Sequence, residues 1–149
     1  MTAKVNEIKI SYCEKLGAMH SPRVTSSHEA AKVLHDNWNR DTIAVKETFK
    51  VLLLNNSNRL KGTFQVSDGG ITGTLVDLRI LFAVVLKTLS VGIILAHNHP
   101  SGNLKPSQQD RQLTEKIRKA AELFDVRVLD HLIIVPEGGY FSFADDGLL

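Results

Sequence analysis

One stretch constrains this chain more than any other: His97-Asn98-His99-Pro100-Ser101-Gly102-Asn103-Leu104-Lys105-Pro106-Ser107-Gln108-Gln109-Asp110. The short apolar, β-rich run Val91 to Ala96 precedes it, and a helical stripe of Leu113, Ile117, Ala120, Ala121 and Phe124 follows it. A strand must therefore hand over to a helix here. His97 and His99, two apart at the strand's end, fall on one face. At about 3.3 Å per residue their Cα atoms lie roughly 7 Å apart, a gap that two inward-leaning imidazoles close on a metal needing about 2.1 Å to nitrogen. Asp110 sits one turn before Leu113, so its carboxylate points with the buried stripe and away from Arg111, Glu115, Arg118 and Glu122. Three protein ligands leave one tetrahedral position open, the arrangement of a catalytic zinc and not of a structural one.

Each part also has a plainer reading. Ser107-x-x-Asp110 is close to a capping box, Pro106 is ordinary helix-start punctuation, and an acid in a first helical turn needs no metal. Taken together, two histidines, a Pro-Ser-Gly turn and an inward acid favour the metal. A fourth group belongs with them. In the segment Ile43 to Asn55, Val45, Glu47, Phe49, Val51 and Leu53 share one face, while Lys46, Thr48 and Lys50 share the other. An acid in apolar phase either marks the exposed end of a strand or serves the site. Partial burial raises its pKa and a nearby metal lowers it, which suits a general base working near neutrality.

His97-x-His99-Pro100, Ser107-x-x-Asp110 and an upstream Glu47 resemble the JAMM (JAB1/MPN/Mov34) metallopeptidase signature. Glu47-x-Phe49-x-Val51-Leu52-Leu53-Leu54-Asn55, His97 to Gly102, Pro106-Ser107-x-x-Asp110, Asp130-His131 and Tyr140 to Phe143 are similar to bacterial RadC-like proteins within that superfamily. The resemblance covers about residues 25–149 and leaves residues 1–24 as an N-terminal extension. It implies that His97, His99 and Asp110 hold Zn²⁺, that Glu47 is the base, that Ser107 helps to stabilise an oxyanion, and that Pro100 shapes the turn between them. A peptide or protein substrate, cut at a peptide or isopeptide bond, is the expectation that follows. Metal-assisted phosphodiester hydrolysis in DNA processing, and a non-catalytic binding module with a structural metal, stand as alternatives.

Alternating strands and helices with one long apolar helix argue for a single α/β domain, a mixed sheet with helices on both faces, and the resemblance implies the same fold. The 149 residues suffice for one continuous core. A net charge of +2 with both signs interleaved predicts only weak, salt-sensitive contact with DNA. The run Ile80 to Ala96 is broken by Lys87, Thr88, Ser90 and Gly92, so no membrane span is expected. A single cysteine, Cys13, and no apolar leader point to a reducing cytoplasm.

Along the rest of the chain, weak alternation predicts an edge strand over Ile8 to Tyr12. Ser26-x-x-Glu29 opens a helix through Trp38 with Ala30, Val33, Leu34 and Trp38 inside; His28 and His35 on it read as solvated, without function. Asn55 to Asn58 turns a hairpin whose second strand runs from Arg59 to Ser67, and the glycine-rich Ser67 to Gly73 reads as a loop near the site with a turn role. Thr74-x-x-Asp77 caps a helix to Leu89, apolar almost all round and therefore buried. Val126 to Val135 and Tyr140 to Phe143 are strands, joined by a Glu137-Gly138-Gly139 turn. Asp130 and His131 read as a mutually satisfied core pair, with support of the metal ligands as the lesser role.

Overall fold

The computed structural model describes residues 2–70 and 75–149. Five strands, β1 (Thr48–Leu54), β2 (Leu60–Asp68), β3 (Gly92–Asn98), β4 (Arg127–Ile134) and β5 (Tyr140–Ser142), form one sheet in the order β2-β1-β3-β4-β5. Only β3 and β4 run parallel; the other neighbours are antiparallel. Helix α1 (Ser27–Asn37) covers one face, where Ala30, Leu34 and Trp38 pack on Leu52, Leu54, Ile94, Leu132 and Ile134. Helices α2 (Leu78–Lys87) and α3 (Gln108–Glu122) cover the other, where Leu81, Val85, Ile117 and Ala121 meet Phe49, Val51, Leu53, Ile93 and Leu95. The expected α/β architecture, a mixed sheet with helices on both faces, is the one found. β3 is buried on both faces along its whole length, which is why its sequence reads as a continuous apolar run without alternation. Truncating a side chain such as Leu95, fully buried at its centre, costs about 2–5 kcal/mol through lost transfer energy and the cavity left behind.

Two pairings place the functional end of the sheet. The parallel β3–α3–β4 unit brings the C-terminal end of β3 beside the start of α3, the side on which α/β sheets expose their ligand sites. Because β1 is antiparallel to β3, with Phe49 opposite His97, the residues just before β1 begins lie at that same end. α3 starts cleanly: Ser107 accepts from the Asp110 N–H, and Asp110 accepts in return from the Ser107 N–H. The capping box and the inward acid, posed by the sequence as rivals, coexist in one residue.

Several expectations need correction. Ile8 to Tyr12 forms no strand; Ile8 and Ile10 are exposed and the segment's tie to the body is Tyr12, whose hydroxyl donates to the Lys61 carbonyl and whose ring lies under Lys61 Nζ. Alternation alone does not make a strand where no neighbour supplies the ladder. β1 begins at Thr48 and not at Ile43, because residues 39–45 turn on themselves through bonds such as Ile43 N–H to Asn39 O and Val45 N–H to Thr42 O. Ser67 and Asp68 belong to β2, opposite Phe49 and Thr48; the rest of the expected glycine-rich loop, from Ile71 on, and the proposed Thr74 cap lie outside the described residues. α2 is capped by Asp77, whose carboxylate accepts from the Arg79 N–H, and it is buried on one face only. Leu81, Phe82 and Val85 face the core, while Ile80 and Leu86 are exposed. Phe124 falls past the end of α3 and lies half in solvent against Phe82. His28 is exposed as expected, but both ring nitrogens of His35 are shielded from solvent without a hydrogen-bond partner. Among the described residues no helix is long and apolar enough to cross a membrane.

Candidate metal centre

His97 is the sixth residue of β3 and 2% exposed; His99 follows the strand's end, its N–H bonded to the Ile134 carbonyl. Their Nε2 atoms converge at 3.0 Å. Asp110, in the first turn of α3, brings Oδ1 to 3.3 Å from His97 Nε2 and Oδ2 to 3.5 Å from His99 Nε2. A tetrahedral ion with bonds of about 2.1 Å spaces its ligand atoms about 3.4 Å apart. The separation of the two Nε2 atoms and the approach of one Asp110 oxygen to each ring lie near that spacing, so the trio could hold one metal ion.

The ring nitrogens facing away from this point explain how the imidazoles are presented. His99 Nδ1 donates to the Asn103 carbonyl, which leaves Nε2 with its lone pair free. His97 Nδ1 lies 2.8 Å from His131 Nε2, and His131 Nδ1 lies 2.6 Å from the Thr114 hydroxyl, which donates to the Asp110 carbonyl at 2.6 Å. Since Thr114 spends its proton on that carbonyl, it accepts from His131 Nδ1–H. His131 Nε2 is then the acceptor for His97 Nδ1–H, and His97 Nε2 is left as a donor atom for a metal. The chain starts at one member of the trio and ends on the backbone of another. Burial holds the His131 pKa well below the ordinary histidine value, so the ring is neutral, as the chain requires. Phe143 stacks on it, and Phe49 meets it edge-on.

This overturns the reading of Asp130 and His131 as a side-chain pair. Neighbours on a strand point to opposite faces: His131 faces α3, and Asp130 faces α1. The Asp130 carboxylate is satisfied there by the Ser142 hydroxyl and by the backbone N–H groups of His131 and Ala144. His131 therefore orients a candidate ligand. Thr114 and Asn98 are the two further residues that the sequence reading missed. Thr114 lies one turn after Asp110 in an otherwise apolar stripe and is 2% exposed; a threonine in that phase was the available signal.

Glu47 lines the same cavity of about 310 Å³ as His97, His99, Asp110, Ser107 and Phe49, without being one of the converging trio. Val45, expected on the same face, is exposed because the strand has not yet begun. The field inside the cavity is that of a place for positive charge. Burial pushes Asp110 up, but the close approach of the His97 and His99 rings to its oxygens and the bond from the Ser107 N–H outweigh it and hold the carboxyl well below the usual carboxylate range. Burial pushes His99 down, yet Asp110, the Asn103 carbonyl and the charge of Glu47 together raise its pKa. A site that makes acids stronger and bases stronger at once is arranged for a cation.

A mixed sheet between α1 and the α2/α3 layer, with a His-His-Asp trio where β3 passes into α3, is the build of a metal-dependent, hydrolase-like module. The profile of the RadC-like JAB domain matches residues 24–148, and the chain belongs to that family. Relatives include a UPF0758 protein of Flavobacterium johnsoniae, 54% identical over 102 residues, covering 68% of this chain and 44% of the relative. A UPF0758 protein of Porphyromonas gingivalis is 49% identical over 104 residues, 70% of this chain and 46% of the relative. A UPF0758 protein of Geobacter sulfurreducens aligns over all 149 residues at 34% identity, covering 60% of its own length. The chain thus spans about half the length of the curated relatives it matches.

Proposed function

We propose that this chain is a Zn²⁺-dependent hydrolase of peptide or isopeptide bonds. The observation that supports it is a trio of donor atoms spaced for one ion, beside a carboxylate that is not one of the three. Zn²⁺ held by His97, His99 and Asp110 would supply Lewis acidity, making water more acidic and a scissile carbonyl more electrophilic. Glu47 takes the proton from water as its oxygen adds to the carbonyl carbon, then delivers that proton to the leaving amine. The Ser107 hydroxyl donates to the carbonyl oxygen as negative charge builds on it. Capping α3 uses only a lone pair of that hydroxyl, so its proton remains to give. Phe49 and Leu113 wall the cavity with apolar surface, which lowers the local dielectric and strengthens each of these interactions. Charges of both signs interleave on α3, where Arg118 pairs with Glu115 and Glu122, so the contact expected with nucleic acid is weak and salt-sensitive.

The test is to load the purified chain with zinc, measure metal per chain, incubate it with a host-cell lysate and identify new peptide termini by mass spectrometry. Near one zinc per chain and termini absent from a Glu47→Gln control are expected. Zinc near zero under replete conditions, or identical termini from both proteins, would overturn the proposal.

A further inference from the structure

Asn98 lies between the two histidines in sequence and, as strand alternation demands, points to the opposite face of the sheet, where it is fully buried. A buried carboxamide is costly unless it is paired, and this one is paired at every proton. Its Oδ1 accepts from the Thr48 N–H at 2.8 Å, and its Nδ2 donates to the Ile43 carbonyl at 2.7 Å and to the Lys46 carbonyl at 2.9 Å. The amide orientation is forced, since the flipped group would set NH₂ against an N–H and oxygen against two carbonyls.

The positions of those partners matter. The Lys46 carbonyl belongs to the peptide group before Glu47, and the Thr48 N–H to the peptide group after it. One side chain therefore grips the backbone on both sides of the Glu47 Cα. The two remaining polar groups are held from the β2 side, with the Glu47 N–H donating to Gly70 O at 3.3 Å and Glu47 O accepting from Gly69 N–H at 2.8 Å. With all four groups bonded, φ and ψ at Glu47 have little freedom, and the carboxylate is aimed into the cavity before β1 has started. No other side chain of this length does the same: aspartate has no donor, and leucine has neither donor nor acceptor.

We infer that Asn98 is a positioning residue for Glu47, locking the backbone of the proton acceptor to the strand that carries His97 and His99. Any shift of the end of β3 then moves base and ligands together, which keeps the distance between them constant to the tolerance that proton transfer needs. The inference rests on the proposed hydrolase reading only for its catalytic consequence; the clamp itself is independent of it.

Two measurements on the zinc-loaded full chain test it, with Asn98→Ala and the near-isosteric Asn98→Asp, which keeps the acceptor but loses both donors. The first is amide hydrogen exchange. The Glu47 amide should exchange about tenfold faster or more in both variants, and the Thr48 amide in Asn98→Ala, while those of Leu132 and Ile133 keep their protection; acceleration spread evenly over the sheet, or none at Glu47, overturns the clamp. The second is a double-mutant cycle on the lysate-derived peptide hydrolysis. Asn98→Asp should slow it about 10- to 100-fold, should leave zinc content unchanged, and should cause no further loss in a Glu47→Gln background. An equal loss in both backgrounds, or zinc falling in step with rate, overturns the positioning role. If Asn98→Ala does not fold, Asn98→Asp decides both arms. If the unaltered chain hydrolyses nothing, the proposed function fails, and the exchange pattern still decides whether Asn98 holds Glu47.

Discussion

Asp110 and Asp130 are both removed from bulk water, and the same sheet lies between them, yet burial has opposite outcomes. Asp130 spends its carboxylate on Ser142, Ala144 and the His131 N–H, closing the corner where β4 meets β5. Burial dominates there and its pKa is raised despite those bonds. Asp110 spends one bond on capping α3 and aims both oxygens at imidazole nitrogens whose other sides are already committed. The first aspartate is a closed account of polar groups, each with its partner. The second leaves converging donor atoms that only a cation completes. Buried polar residues are therefore informative not by being buried but by whether their network closes on itself.

The sharpest way to break the comparison is to remove both carboxylates. Asp110→Ala should cut zinc from near one per chain to near zero and abolish hydrolysis. Asp130→Ala should keep its zinc but lose stability, since each buried donor left without a partner costs about 1–3 kcal/mol. Elemental analysis and denaturant melts of the same preparations check both, and zinc loss in Asp130→Ala would erase the distinction. Next in size is Glu47→Gln, which keeps shape but removes the proton acceptor; hydrolysis should fall by about 10² to 10⁴ with zinc retained. If the variant loses zinc in step with activity, Glu47 is a ligand and belongs with Asp110.

A smaller effect should come from His131, which sits between the two aspartates in logic as well as in space. His131→Ala removes the acceptor for His97 Nδ1–H and should weaken zinc binding about 10- to 100-fold, measured by competition with a chromophoric chelator. His131→Gln, which can accept from His97 and donate to Thr114, should recover part of that loss. Unchanged affinity in His131→Ala would return the residue to a purely structural role.

The smallest effect concerns pH. The folded Asp130 pKa is raised, so its contribution to stability is fully present below the unfolded value of about 3.9 and is lost as pH rises through the folded value. Asp130→Asn should flatten that decline. Denaturant midpoints of both proteins, compared from pH 4 upward without metal, check the sign; a steeper decline in the variant would mean that the hydrogen bonds outweigh burial.

What this sequence determined by itself were the features carried by local chemistry. The period of the apolar stripe on α3 and the Ser107-x-x-Asp110 spacing located the helix start, and the alternation of Phe49, Val51 and Leu53 assigned a face to β1. His97 and His99 share a face because strands alternate, whatever the rest of the chain does. The same rule, applied to neighbours, already forbade the Asp130–His131 side-chain pair. The tertiary structure decided everything that depends on which strands are neighbours. Parallel pairing of β3 with β4 places Ile133 beside His97 and lets His131, two residues earlier on the same face, reach its ring. The antiparallel pairing of β1 with β3 delivers Glu47 to the ligand end and lets Asn98 clasp it from behind. The exposed outer face of α2 was likewise a tertiary outcome, because an apolar helix is buried only on the side where a sheet is available to cover it. Spacing along the chain encodes directions of side chains, but a hydrogen bond between residues 34 or 50 positions apart exists only once the sheet has chosen its order.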